Sequence, residues 1–356
     1  MKRNILLCLC SVTIALFLGE LVIRALNLAP RLISLNIDSV RSGYKSSSNP
    51  ILGYELKSNY RDNKASLHFG NFPETNSHGQ RDRERSYVKP HGIKRIILLG
   101  DSVVAGHGVW SLDDTISRQM ERSLPESANI EVLNLGVGGY QTLAESELLR
   151  TKGVKYSPDL VVLVFEDNDF SPQNNDIAHY DPQISGIIKL LIKKSHLFRF
   201  VALKLDVGGI KFRADPDYRI KYHKEVLRES VELGIARMSA VAQQYGFKLF
   251  VVIWPRFPNL SPVDPTINDF CYLPGQYERL LRIEAICRKY GLDSYRLADF
   301  FIEDYKKIKA EASAEGTARS LMATYTVGEG CHPNVYGAGV AAQAIFELIM
   351  KHQYLS

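Results

Sequence analysis

Short apolar runs punctuate the chain at "KRIILLG", "NIEVLNLG", "PDLVVLVF" and "FKLFVVIWP". Each is rich in β-branched residues, has the length of one strand, and ends at Gly, Pro or a polar cluster. That is the pattern of parallel strands buried on both faces. "DSYRLAD" is a weaker fifth candidate. Helical spacing fills the intervals. "DDTISRQMERSL" sets Ile116, Met120 and Leu124 on one face, and a second stripe runs through Leu227, Val231, Ile235, Met238 and Val241 to a stop at Gly246. "GVAAQAIFELIM" places Val340, Ala344 and Leu348 together near the C-terminus. Strand and helix alternate, which predicts a three-layer α/β/α sandwich around a mostly parallel sheet of about five strands. Sites in such sheets gather at the carboxyl ends of the strands. Ser102, Gly139 and Asn168 all fall at such ends.

Three stretches stand outside this alternation. Lys2 and Arg3 precede an apolar segment, "NILLCLCSVTIALFLG", which resumes as "LVI" after Glu20. A positive start and an apolar core read as export, and residues 1–26 are expected to be a signal anchor or a signal peptide. No clear small-x-small cleavage site follows. Basic residues ahead of the span place the rest of the chain on the outer side, as a membrane-anchored domain or, if the segment is cleaved, a secreted one. Glu20 is costly in a bilayer unless it sits at the interface. Residues 27–90 are polar with weak periodicity and read as an extended connection, so the main domain is expected over 91–352. Within it, residues 171–222 are too long for a plain loop and contain "ISGIIKLLIKKSHLFRFVALKL". They are expected to form a helical insertion, a lid or substrate-facing cap.

Composition narrows the classes. The chain has 356 residues, 45% of them hydrophobic, with a net charge of +5. No Lys/Arg block is dense enough to argue for nucleic acid as a partner. Cys8 and Cys10 lie in the apolar segment, and no Cys or His spacing suggests a metal site. Cys271, Cys287 and Cys331 permit at most one internal disulfide among themselves.

The Gly-rich stretch "LLGDSVVAGHGV" could cradle a phosphate or present a nucleophile. It lacks the lysine of a phosphate loop, and "NLGVGGYQT" follows the second strand without a ribose-binding acid at the expected distance. The nucleophile reading finds its other parts. A serine hydroxyl needs a base to take its proton, and the oxyanion that follows needs donors aimed at it. "GEGCHPNVYGAGV" supplies His332, three residues after Glu329, so that an acid and a base can meet in one turn. Blander roles exist: a helix cap for Ser102, a tight turn for Gly139, turn formation for Asn168 and Asp169. His107, nearest to Ser102 in sequence, is a weaker base candidate with no acid beside it. Asp101 and Glu166 are alternatives to Glu329 as the acid.

Taken together, these blocks resemble the SGNH (GDSL-type) hydrolase superfamily. Gly100-Asp101-Ser102 is similar to its first block, "NLGVGGYQT" aligned on Asn134 to its second, and "FEDNDF" to its third. Glu329-Gly330-Cys331-His332 is similar to its last. The resemblance covers about Arg95 to Ala344 and implies the flavodoxin-like SGNH fold. It also implies an esterase with Ser102 as nucleophile, His332 as base and Glu329 as orienting acid. The backbone N–H groups of Ser102 and Gly139 and the Asn168 amide would form the oxyanion hole, and no cofactor or metal would be needed. Two residues depart from the family pattern. Glu329 stands where Asp is usual. Glu166 stands where Gly is usual, and its carboxylate would oppose the oxyanion unless it points away. The stretch "NSHGQRDRERSYVKPHGIKRIILLGDS" further resembles anchored members associated with bacterial exopolysaccharide systems. The expected substrate is therefore an acylated glycan, acetylated above all, or a small ester. Lipid or thioester hydrolysis, O-acyl transfer from the same site, and a catalytically weak glycan-binding module are the alternatives.

Overall fold

The five apolar runs form one parallel sheet: β1 (Lys94–Gly100), β2 (Ile130–Gly136), β3 (Leu160–Phe165), β4 (Lys248–Ile253) and β5 (Asp293–Arg296). The structure, a computed structural model, describes residues 2–26, 28–29, 43–49, 51–61, 74–125, 128–170, 186–205, 230–312 and 319–355. Spatial order is β2-β1-β3-β4-β5. The chain adds strands on one side of β1 and then on the other, so the topological switch lies beside β1, where open α/β sheets place their ligands. In register, Gly100 pairs with Gly136 on one side and Val164 on the other, and Val164 pairs with Val252. The carboxyl ends are thus nearly level.

Strand residues point to alternate faces, and both faces are covered. Ile96, Leu98, Val162 and Val252 join one core with Met120, Phe301, Ala341 and Ile345. These come from helices Ile116–Ser123, Leu297–Ala312 and Val335–Lys351. Helices Thr142–Thr151, Ser230–Tyr245 and Gln276–Lys289 form the opposite layer. The described stripe of Val231, Ile235, Met238 and Val241 is buried as expected; Leu227 lies outside the described residues. In the last helix Ala344 and Leu348 are buried, while Val340 is only partly so.

The polar stretch before β1 is more than a connection. Arg81, Asp82 and Arg85 are buried, and the unit that carries the sheet begins well before residue 91. Arg85 pairs with Asp82 at 3.2 Å, and Asp82 accepts the Asn134 backbone N–H of β2 at 3.2 Å. Residues of mixed charge, read as part of an extended connection, are paired to one another and to the edge of the sheet.

A second unit combines the N-terminal helix, Lys2–Ala25, with the described part of the insertion, helices Gly186–Lys194 and His196–Arg199 and the turn Phe200–Lys204. Helix His196–Arg199 packs on the N-terminal helix, and helix Gly186–Lys194 packs on His196–Arg199. The stretch Arg3–Ala25 is long and apolar enough to cross a membrane. The remainder of the expected insertion lies outside the described residues. All five cysteines are free thiols.

Candidate active site

The chain leaves β1 at Gly100 and turns at once into the short helix Ser102–Ala105. Asp101 is its N-cap, accepting from the Val103 N–H at 2.9 Å, so capping is done by Asp101 and Ser102 is left free for another role. The turn lies directly on the end of β2: a Cβ on Gly136 would overlap the Ala105 backbone nitrogen. Only glycine permits that approach. From the other side buried Arg81 holds the following loop. Its guanidinium donates to the carbonyls of Ala105 (3.1 Å), Gly106, Val109 (2.6 Å) and Trp110 (3.0 Å). Sequence reading missed Arg81, because nothing local distinguishes a buried arginine from its solvated neighbours.

The base arrives from 230 residues away in sequence. His332 Nε2 stands 2.9 Å from Ser102 Oγ, and His332 Nδ1 stands 2.8 Å from Glu329 Oε2. Ser102 is buried, whereas the Glu329 side chain is 65% exposed. The turn between them is fixed by its backbone. Phe257 N–H donates to Gly330 O at 2.8 Å, and Trp254 Nε1–H donates to Cys331 O at 2.9 Å. Asn334 then caps the last helix through Gly337 N–H at 2.9 Å and donates back to Thr324 O at 2.9 Å. The segment beyond β4 therefore sets the position of the imidazole, a contribution with no motif of its own.

His107 is not the histidine that meets Ser102 Oγ, a place taken by His332 Nε2. Its ring centroid is 5.5 Å from that of His332. Burial, with His332 and Arg81 adding, pushes its pKa down to about 3, which leaves it a poor base.

Asn168 follows β3 by three residues, and its amide donates to Asp101 Oδ2 at 3.1 Å. The same oxygen lies 3.3 Å from Ser102 Oγ. Asp101 thus orients one N–H of the Asn168 amide. Gly139 lies three residues beyond β2 with φ of +79°, a conformation that favours glycine and turns the loop at the edge that carries Ser102. Asp169, fully buried, accepts from Thr142 Oγ1 at 2.6 Å and so ties the Asn168 turn to the helix that follows the Gly139 loop. Burial holds the carboxyls of Asp169 and Glu145 well above the usual range, and the Asp101 charge adds to both.

Glu166 does not stand as a bare charge beside these donors. One carboxylate oxygen pairs with Arg256, and the other accepts the Asn168 backbone N–H at 2.9 Å. Burial still pushes its carboxyl up to about 7, against the pull of Arg256. The departure from glycine has therefore become a backing for the Asn168 turn. Neither Glu166 nor Asp101 bonds His332 in place of Glu329, whose oxygen makes the short contact to Nδ1. Among the described residues no group of three or more His, Cys, Asp or Glu side chains could hold a metal ion.

This chain is similar to several solved structures, among them an acetyl xylan esterase, AlAXEase (13% identity, 72% of this chain and 99% of that one, TM-score 0.40). A GDSL-like lipase from Bacteroides thetaiotaomicron VPI-5482 matches at 14% identity over 73% of this chain and 89% of that one, with a TM-score of 0.38. A two-domain esterase active on acetylated mannans matches at 11% over 73% of this chain and 49% of that one, with a TM-score of 0.39. No curated protein matches the sequence. The family described as GDSL-like Lipase/Acylhydrolase matches residues 96–345, which run from within β1 into the last helix and take in all four blocks. On that match this protein belongs to the GDSL-like lipase/acylhydrolase family and is a hydrolase of the esterase class.

Proposed function

We propose that the protein is a serine esterase that works through an acyl-enzyme and removes O-acyl groups, acetyl above all, from a cell-surface or exported glycan. The observation that carries the mechanism is the continuous contact from Ser102 Oγ to His332 to Glu329, at 2.9 and 2.8 Å. Ser102 Oγ attacks the ester carbonyl as His332 Nε2 takes its proton. Glu329 holds Nδ1 and stabilises the imidazolium. The oxyanion receives the Ser102 and Gly139 backbone N–H groups and the second N–H of the Asn168 amide. The Ser102 N–H belongs to the first turn of a helix, so no intrahelical acceptor competes for it. Collapse expels the alcohol, which takes the proton from His332. Water, activated by the same imidazole, then releases the acid.

The choice of glycan rests on the anchored character of the chain and on the resemblance of the stretch before β1 to exopolysaccharide-associated members. Helix Lys2–Ala25 is read as the anchor, with the hydrolase unit on the outer side, because Lys2 and Arg3 precede the span. A fluorophosphonate probe should label wild-type protein at Ser102 and leave Ser102→Ala unlabelled, with acetate release from an O-acetylated polysaccharide lost in parallel. Equal acetate release by wild type and Ser102→Ala would overturn the enzyme mechanism. Labelling without acetate release would overturn the glycan assignment alone.

A further inference from the structure

Glu20 interrupts an otherwise apolar helix, and its partners give it a purpose. Its carboxylate accepts from Ser195 Oγ at 2.8 Å, from the His196 N–H at 2.9 Å and from the Leu197 N–H at 2.8 Å. Arg24, one turn on, pairs with Glu20 at 2.6 Å and donates to Lys194 O at 2.8 Å. Gly19 lets Leu197 against the helix: a Cβ there would lie 3.2 Å from the Leu197 side chain. The insertion is therefore fastened to one point of the N-terminal helix, at its C-terminal end. From Arg3 to Glu20 the helix rises about 26 Å, close to the roughly 30 Å hydrocarbon thickness of a bilayer. A helix that spans puts Glu20, Arg24 and the joint with the insertion at the membrane–water boundary.

What the insertion shows there is apolar. Ile187, Leu190 and Leu191, spaced as one helical stripe, are 74%, 56% and 39% exposed. Ile192, by contrast, is fully buried within the unit. The same helix carries Lys189, Lys193 and Lys194 in its sequence. An apolar stripe on a lysine-rich helix, fixed at the level where the span ends, has the composition of helices that lie in the interface plane.

We infer that helix Gly186–Lys194 is a second membrane contact, lying in the headgroup and upper acyl region of the leaflet that Glu20 reaches and drawn to anionic phospholipid. This rests on the reading of Lys2–Ala25 as a spanning anchor. The occupant of the stripe is the bilayer itself, because the unit that presents it is fastened through Glu20 to an apolar helix whose own side chains, Leu16 and Phe17 among them, are open at 57% and 62%. The lysines add attraction for anionic headgroups.

The test uses the full chain in vesicles of phosphatidylethanolamine and phosphatidylglycerol. An environment-sensitive fluorescent amino acid replaces either Leu190 or Leu16, both exposed, so neither replacement disturbs packing. Spin-labelled lipids quench from near the headgroup or from near the acyl terminus. The expected result is stronger deep quenching at position 16, stronger shallow quenching at position 190, and shielding of position 190 from aqueous iodide. Quenching at 16 with position 190 open to iodide and unquenched would overturn the inference and leave the anchor standing. No quenching at 16 would remove the anchor, and this inference with it. Deep quenching at 190 would mean insertion and also overturn it. Glu20→Ala makes the span more apolar, so position 16 should be unchanged while shallow quenching at 190 falls at least about twofold. Unchanged quenching at 190 would overturn the fastening role of Glu20.

Discussion

Replacing Glu329 with Gln tests the triad where this chain departs from its relatives. In serine proteases the amide replacement of a buried acid costs about 10⁴ in kcat, largely because the amide fixes the wrong tautomer. The setting here differs. The Glu329 side chain is 65% exposed, so a glutamine there is free to turn its oxygen toward Nδ1–H. The tautomer survives and only the charge is lost. With charge centres about 4 Å apart, the attraction between carboxylate and imidazolium is about 1 kcal/mol at the dielectric of water and about 4 kcal/mol at an effective value near 20. Glu329→Gln should therefore lower kcat by between about fivefold and about a thousandfold. Glu329→Asp should lose less, since it keeps the charge. The assay is p-nitrophenyl acetate turnover by the full-length protein at mildly alkaline pH, with circular dichroism as the control for folding. An unchanged rate would mean that Glu329 is an exposed turn residue with no part in catalysis. A loss of 10⁴ or more would refute the screening argument.

Asn168→Ala should reduce kcat by about 10²–10³ with little change in KM, as removal of one oxyanion donor does; an effect confined to KM would make Asn168 a ground-state binding residue. Gly136→Ala forces a methyl onto the Ala105 backbone and should destabilise by about 2–3 kcal/mol, seen as a lower urea midpoint, while an unchanged midpoint would refute the close approach. Burial raises the Glu166 carboxyl from 4.5 to about 7, so its charged form is disfavoured in the folded state. The stability it contributes is complete below its ordinary value and is lost as pH rises through about 7, on the order of 3 kcal/mol. Arg256→Met removes the compensating charge and should widen the gap in urea stability between about pH 4 and about pH 8, either side of that window; an equal gap in both proteins would refute the pairing.

The five strands were legible in the sequence because a strand buried on both faces has no solvated side. "LVVLVF" and "KLFVVI" therefore announce themselves without reference to the rest of the chain. The turns that carry Ser102, Gly139 and Asn168 were legible for a related reason: the turn that ends such a strand must be sharp, and its residues are few. His332 with Glu329 was legible through spacing alone. Partners across the fold leave no local trace. Arg81 looks like any arginine in a polar stretch until four carbonyls of the Ser102 loop converge on it. Glu166 reads as an intruding charge until Arg256, 90 positions later, meets it. Glu20 reads as a flaw in an apolar helix until Ser195 and the two N–H groups after it close on its carboxylate. Burying a polar group is tolerated only where its hydrogen bonds and charge are satisfied, and the satisfying groups come from distant parts of the chain. Period and turn chemistry fixed where the strands end; which charge each buried polar group meets was decided by tertiary structure.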